Sequence, residues 1–348
     1  MERISSILQH DIKMATTPVS QLDIEGKSFE EKICFYTSHG SKGDQALYLI
    51  QKNGNEDLLS LRTYVNTGHF KKAKALLENE TQSKDSEVQA EYLLQKARLH
   101  GFEEDWRGCV EFCEQGLALR PMEITQLSFL QCRAMAFYEL GFIGNALYEC
   151  NLILSQEKLY PESMAVRYAW PLKIKCHLAQ GNLEVSRPIL HRLWSDFFKK
   201  GYELDSLLTL LRLEIDFCRA EKRPIDGLAK ASFAVAKLLG DRLYEAMSLF
   251  DLQSAHSVEN QSLKAQLDLY AGEFKKIKSW RNQICDRKPQ FTSVERILRT
   301  FQQPNEFSFD PLLEWDKIVL TRYNAVIDLK TERVHLFKDF KNKEKLGA

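Results

Sequence analysis

Apolar residues recur at three- and four-residue spacing over most of the chain, a periodicity that predicts a succession of amphipathic α-helices. Four stretches share one order: an apolar helix, a short turn, then a second helix with a small residue three positions after an aromatic or aliphatic one. They are TGHFKKAKALL with Gly68, Phe70 and Ala73, EEDWRGCVEFCEQGLALRP with Trp106, Cys109, Cys113, Gly116 and Pro121, ELGFIGNALYEC with Gly141, Ile143 and Ala146, and AQGNLEVSRPIL with Gly181, Leu183 and Ser186. Glycine after a helix permits a left-handed C-cap, and the small residue lets neighbouring helices approach closely. With Gly68, Glu104, Gly141 and Gly181 as equivalent turn positions, the spacings are about 36, 37 and 40 residues.

The pattern changes on either side. MERISSILQHDIKM reads as one amphipathic helix, and SHGSKGDQ as a polar turn between apolar stretches; residues 1–54 are expected to cap an array whose first unit would otherwise expose an apolar face. After position 200 the phase drifts. Glu221 marks the expected turn of one further pair, and Ala265, Gly272, Phe274 and Pro289 carry the pattern once more. KIVLTRYNAVIDLKTERVHLF, residues 317–337, replaces helical periodicity with alternating, β-branched positions and reads as two or three short strands. QPNEFSFDPLLEWD connects the two regions, which places a boundary near Phe301. The expected division is therefore a capping segment 1–54, a helical repeat domain 55–301, and a linker with a small β module 302–348.

Repetition also accounts for the length, because 348 residues exceed a usual single core. With 44% hydrophobic and 28% charged residues, the composition is that of a folding chain. Lys plus Arg and Asp plus Glu both number 48, so no global basic field favours nucleic acid or anionic membrane, and charge-driven binding has to be local. No stretch approaches the ~20 apolar residues that would span a bilayer. A cytoplasmic protein is expected, without membrane association or direct nucleic-acid binding.

Candidate chemistry is sparse. GSKGD, residues 40–44, lacks the length and the terminal Lys-Ser/Thr of a phosphate loop, and nucleophile elbow, paired-histidine zinc helix and dinucleotide fingerprint are all missing. Cys109 and Cys113, four apart on one helix face, could form part of a metal or redox pair only with further ligands; their positions suit buried packing. The eight cysteines are expected as buried thiols, and Cys176 and His177, adjacent on a helix, point in different directions. Trp106 and Trp280 are expected in the core, and Trp170, immediately before Pro171, at an exposed helix start. A non-enzyme without metal or cofactor is expected.

On these residues the chain resembles the tetratricopeptide repeat family over about residues 55–195. The best single unit is 90–121, where Ala97, Trp106, Cys109, Cys113, Gly116 and Pro121 follow the family spacing; Ala134 and Phe137 precede Gly141 similarly, and Tyr64 precedes Gly68. The resemblance implies a mainly α fold, a right-handed superhelical solenoid of antiparallel helix pairs with a small C-terminal hairpin or sheet. It also implies a partner groove lined by the first helix of each pair. The groove positions would be Asn55, Leu58, Arg62 and Asn66; Glu91, Leu94, Arg98 and Phe102; Ser128, Gln131, Met135 and Tyr138; then Tyr168, Pro171, Lys175 and Leu178.

Arg62, Arg98 and Lys175 would form an interrupted basic stripe with Phe102, Tyr138 and Tyr168 beside it, suited to an extended peptide with carboxylates. The same cations could simply solvate a helix face. Arg62, Asn66, Arg98, Phe102, Met135, Tyr138, Tyr168 and Lys175 are the candidate partner site of a protein-binding scaffold or sensor. A second reading rests on AVIDLKTERVHLF, which resembles the small sheet preceding the helices of winged-helix domains in bacterial regulators, and on GDRLYEA, similar to segments of their helical arrays. It makes the chain the regulatory part of a signalling or transcription regulator with an incomplete output domain.

Overall fold

A computed structural model describes residues 2–17, 26–38, 43–53, 58–66, 69–78, 84–200, 204–239 and 242–255, and three strands within 317–336. The described residues are mainly helical, with fourteen α-helices, and divide into two compact units, Met1–Asn182 and Leu183–Ala348. The division lies inside the expected repeat domain. Asn55, Gly68, Ala265, Gly272, Phe274, Trp280, Pro289 and the Phe301 boundary lie outside the described residues.

The first unit holds α1 (Glu2–Thr16), α2 (Phe29–Ser38), α3 (Gly43–Asn53), α4 (Leu58–Asn66), α5 (Phe70–Glu78), α6 (Ser86–Phe102), α7 (Trp106–Ala118), α8 (Glu123–Glu139), α9 (Ile143–Ser155) and α10 (Met164–Ala179). Each helix packs on the next, and α2, α4, α6, α8 and α10 also pack successively on one another. The even-numbered helices α2 to α10 thus form one row, and α3, α5, α7 and α9 each pack on two successive members of it. The segment expected only to cap therefore contributes a helix pair of its own, α2 and α3, opened by a reciprocal cap in which Ser28 Oγ accepts from Glu31 N and Glu31 Oε2 accepts from Ser28 N.

One turn recurs within the pairs, between first and second helix. The amide of the sixth residue donates back to the carbonyl of the first: His69 to Tyr64, Asp105 to His100, Phe142 to Phe137, Asn182 to His177 and, in the second unit, Arg223 to Cys218, at 2.7–2.9 Å. In the last four, the residue just before the donor has a left-handed backbone: Glu104 (φ 59°), Gly141 (φ 81°), Gly181 (φ 75°) and Lys222 (φ 56°). This is the Schellman arrangement, which satisfies two carbonyls at a helix end. Glu104 does there what glycine does in its neighbours, and the turn expected at Glu221 centres one residue later. Five positions on, Ala73, Cys109, Ala146 and Ser186 are all buried, as expected for a close helix approach.

Gly116 marks the tightest approach, because a Cβ there would run into the ring of fully buried Phe129 on α8. Glycine to alanine inside a helix ordinarily gains about 1 kcal/mol. Here Gly116→Ala should instead lose about 1–3 kcal/mol through overpacking, and Phe129→Leu should restore part of it. Thermal melting checks this, and an unchanged or raised midpoint for Gly116→Ala would contradict the close packing.

The second unit holds α11 (Leu183–Lys200), α12 (Leu204–Ala220), α13 (Asp226–Leu239) and α14 (Arg242–Ala255), packed in sequence. Trp194 is fully buried and its indole donates to Glu214 Oε1 at 2.9 Å. Buried Asp251 of α14 receives both Arg212 and Arg219 of α12, and Ser248 donates to Ser232 at 2.9 Å. Strands β1 (Lys317–Leu320), β2 (Ala325–Asp328) and β3 (Arg333–Leu336) pair antiparallel in chain order, Ile318 opposite Ile327 and Ile327 opposite Val334. The side chains of these strands lie outside the described residues.

Candidate partner site on the even-numbered helices

Arg62 is the centre of the site, and it is not a surface cation. Only 9% of it is exposed. Its Nη1 and Nη2 donate to Asp11 Oδ1 and Oδ2 of α1 at 3.1 and 2.8 Å, and its Nε and Nη2 donate to Glu91 Oε1 and Oε2 of α6, the latter at 2.8 Å. Gln95, one turn along α6, donates to Glu91 Oε1 at 2.7 Å. One guanidinium thus clamps two carboxylates from different helices, which its planar fork of donors permits.

Burial opposes ionisation of Glu91, which is 1% exposed, but the Arg62 charge and hydrogen bond, the Arg98 charge and the Gln95 amide outweigh it. They hold the carboxyl below its ordinary value. Burial likewise opposes charge on Arg62, and Asp11 and Glu91 more than offset it.

Beside this clamp lies a cavity of about 80 Å³ whose lining includes Arg62, Asn66, Arg98, Ser128 and Glu162. It is smaller than the roughly 300 Å³ at which small-molecule sites begin. Of the eight expected site residues, Arg62, Asn66 and Arg98 come together here. Phe102 does not: its ring, 48% exposed, stacks at 5.1 Å on Phe70 of α5. Met135 and Tyr138 are half-buried against the cluster of Ala134, Ala146, Cys150, Leu172 and Cys176. Tyr168, 36% exposed, and half-buried Lys175 lie on α10 away from the cavity lining. The expectation that Arg62 meets solvent along a basic stripe is corrected, since two internal carboxylates consume its donors.

The element missing from the expectation is α1. Ile7, Leu8, Met14 and Ala15 are buried on the face that also carries Asp11. Ile7, Leu8 and Ala15 share one apolar cluster with Leu58 and Leu61 of α4, Ile124 and Leu127 of α8, and Val166 and Ala169 of α10. The Ala15 carbonyl accepts from Glu162 N at 2.9 Å, just before α10. The sequence signal was an acidic residue in the middle of an apolar helical face, a costly arrangement unless a cation waits opposite.

Of the seven described cysteines six are buried and Cys132 is half-buried, and Cys285 lies outside the described residues. Burial raises the thiols of Cys132 and Cys176 to about 11 and that of Cys150 to about 12, and a hydrogen bond to Cys109 with burial raises Cys113 well above its usual value. Such thiols carry almost no nucleophilic thiolate near neutrality. Among the described residues no group of three or more His, Cys, Asp or Glu is placed to hold a metal ion, and no helix is long and apolar enough to cross a membrane. Trp170 is not at a helix start: α10 begins at Met164, so Pro171 lies inside it, and the Trp170 indole donates to Glu157 at 3.0 Å.

Compared with known proteins, the chain matches no family model and no curated protein.

Proposed function

We propose that the chain is a non-catalytic binding scaffold of the tetratricopeptide type, holding a segment of another protein against the even-numbered helices α4, α6, α8 and α10. In this reading the helix pairs stack with a small constant rotation into a right-handed superhelix, and the even-numbered helices line its concave side. The recurring turn, with its close-packed small residue five positions on, supports that stacking. The observation that carries the functional reading is the clamp with its adjoining cavity. Arg62, Asn66 and Arg98, from α4 and α6, gather at one place where the Asp11 carboxylate of α1 is already held. Tyr168 and Lys175 would extend the surface along α10.

Because Arg62 is buried, it is a poor position for testing binding. Arg98→Glu, in half-buried surroundings on the cavity wall, reverses charge with less damage to the fold. Affinity capture from native cells with wild type and Arg98→Glu, matched for helicity, should recover a partner that the variant loses. Equal recovery by both chains would remove the inner-face assignment.

A further inference from the structure

We infer that α1 is an internal stand-in for the partner, and that the partner is itself an amphipathic helix presenting a carboxylate within its apolar face. This rests on the inner-face reading above and replaces the expected extended peptide with a helical one.

The pattern is written on α1. Buried Ile7 and Leu8 stand one turn before Asp11, and buried Met14 and Ala15 one turn after, while Gln9, Lys13 and Thr16 are exposed. The surface that receives α1 is thus complementary to a helix with apolar residues at i, i+1, i+7 and i+8 and an acid at i+4. That is helix-in-groove recognition, read at helical spacing.

The ion pairing makes α1 exchangeable. Arg62 carries two carboxylates, and they are not equivalent. Glu91 belongs to α6, is 1% exposed and is braced by Gln95, whereas Asp11 is reached only through the outer nitrogens Nη1 and Nη2. When α1 leaves, Arg62 keeps its Nε contact to Glu91, so no buried charge is stranded. An incoming carboxylate finds Nη1 and one share of Nη2 waiting.

Besides its apolar packing, the polar contacts of α1 among the described residues include Lys13 with Glu31 at 3.4 Å, His10 with Glu31 at 3.9 Å, and the amide of Glu162 on the Ala15 carbonyl. Any helix ending at this point offers such a carbonyl, so that contact too is available to a replacement.

The test uses full-length chain, wild type and Asp11→Asn, titrated into a fluorescein-labelled peptide of residues 1–17 and followed by anisotropy. A closed stand-in lowers apparent affinity by the fraction of open chain, so the variant should bind the peptide about 10- to 100-fold tighter than wild type. A peptide carrying Asp11→Asn should lose that gain. Equal binding by the two chains at equal helicity overturns the proposal and leaves α1 a fixed part of the fold.

Hydrogen exchange gives the second measurement, on unaltered protein: excess peptide should lower protection of the chain's own residues 2–16, and unchanged protection overturns the exchange. Capture sensitive to Arg98→Glu remains the separate test of the inner face. A chain that passes it and fails here binds partners beside a fixed α1, and one that fails it and passes here exchanges α1 without an outside partner on that face.

Discussion

Arg62→Leu should cost the first unit about 3–5 kcal/mol, the range found when one partner of a buried ion pair is removed. The loss comes from Glu91, which stays buried with the more distant Arg98 charge and the Gln95 amide to stabilise its own charge. Asp11→Asn should cost far less, because Glu91 still neutralises Arg62. Hydrogen-exchange mass spectrometry separates the two: Arg62→Leu should strip protection from α1, α4 and α6 together, Asp11→Asn from α1 alone. Near-equal effects would contradict the inequality of the two carboxylates. Acid should imitate the first variant. A carboxyl held below its ordinary value when folded contributes stability fully present above that value, and this is lost as pH falls through the lowered one. The Glu91 contribution should therefore persist at neutrality and vanish only below the usual carboxylate range, near about pH 4.

The second large effect is expected at Asp251, whose carboxylate joins α14 to two arginines of α12. Asp251→Ala leaves Arg212, 6% exposed, without the acid that holds its charge in place, again a loss of about 3–5 kcal/mol. Arg219 is more exposed and returns to water cheaply. Hence the double variant Asp251→Leu with Arg212→Leu should recover much of the loss, since an apolar pair of similar volume often matches a buried ion pair. Chemical denaturation followed through Trp194, buried in the same unit, reads both results. A single variant as stable as wild type would show that Arg212 finds other compensation.

Much of the helical framework was legible because it depends on local chemistry. Gly141 and Gly181 announce left-handed turns, and Ala73, Cys109, Ala146 and Ser186 announce close approaches, within a few residues of the helices they join. Glu104 was placed correctly by spacing alone. Pro171 misled, because proline suits a helix start and only the upstream backbone reveals that α10 began earlier. Of the candidate site, the register implied by the resemblance put Arg62, Asn66 and Arg98 on one side of successive helices, and the three line one cavity. Their circumstances were not legible, since Arg62 meets its carboxylates 51 positions upstream and 29 downstream, and no local pattern encodes such a pairing. Asp11, an acid within an apolar helical face, was a signal that went unused.

The hydrogen bond between Glu162 and Ala15 has a consequence for the order of events at the ribosome. Ala15 emerges well before Glu162, by on the order of ten seconds at about 5–20 residues per second. Throughout that interval Ile7 and Leu8 have been made but their neighbours Val166 and Ala169 do not yet exist. Within the first unit α1 therefore completes its packing only once α10 has been made, and until then the nascent chain carries an apolar, acid-bearing segment whose own receiving surface is incomplete.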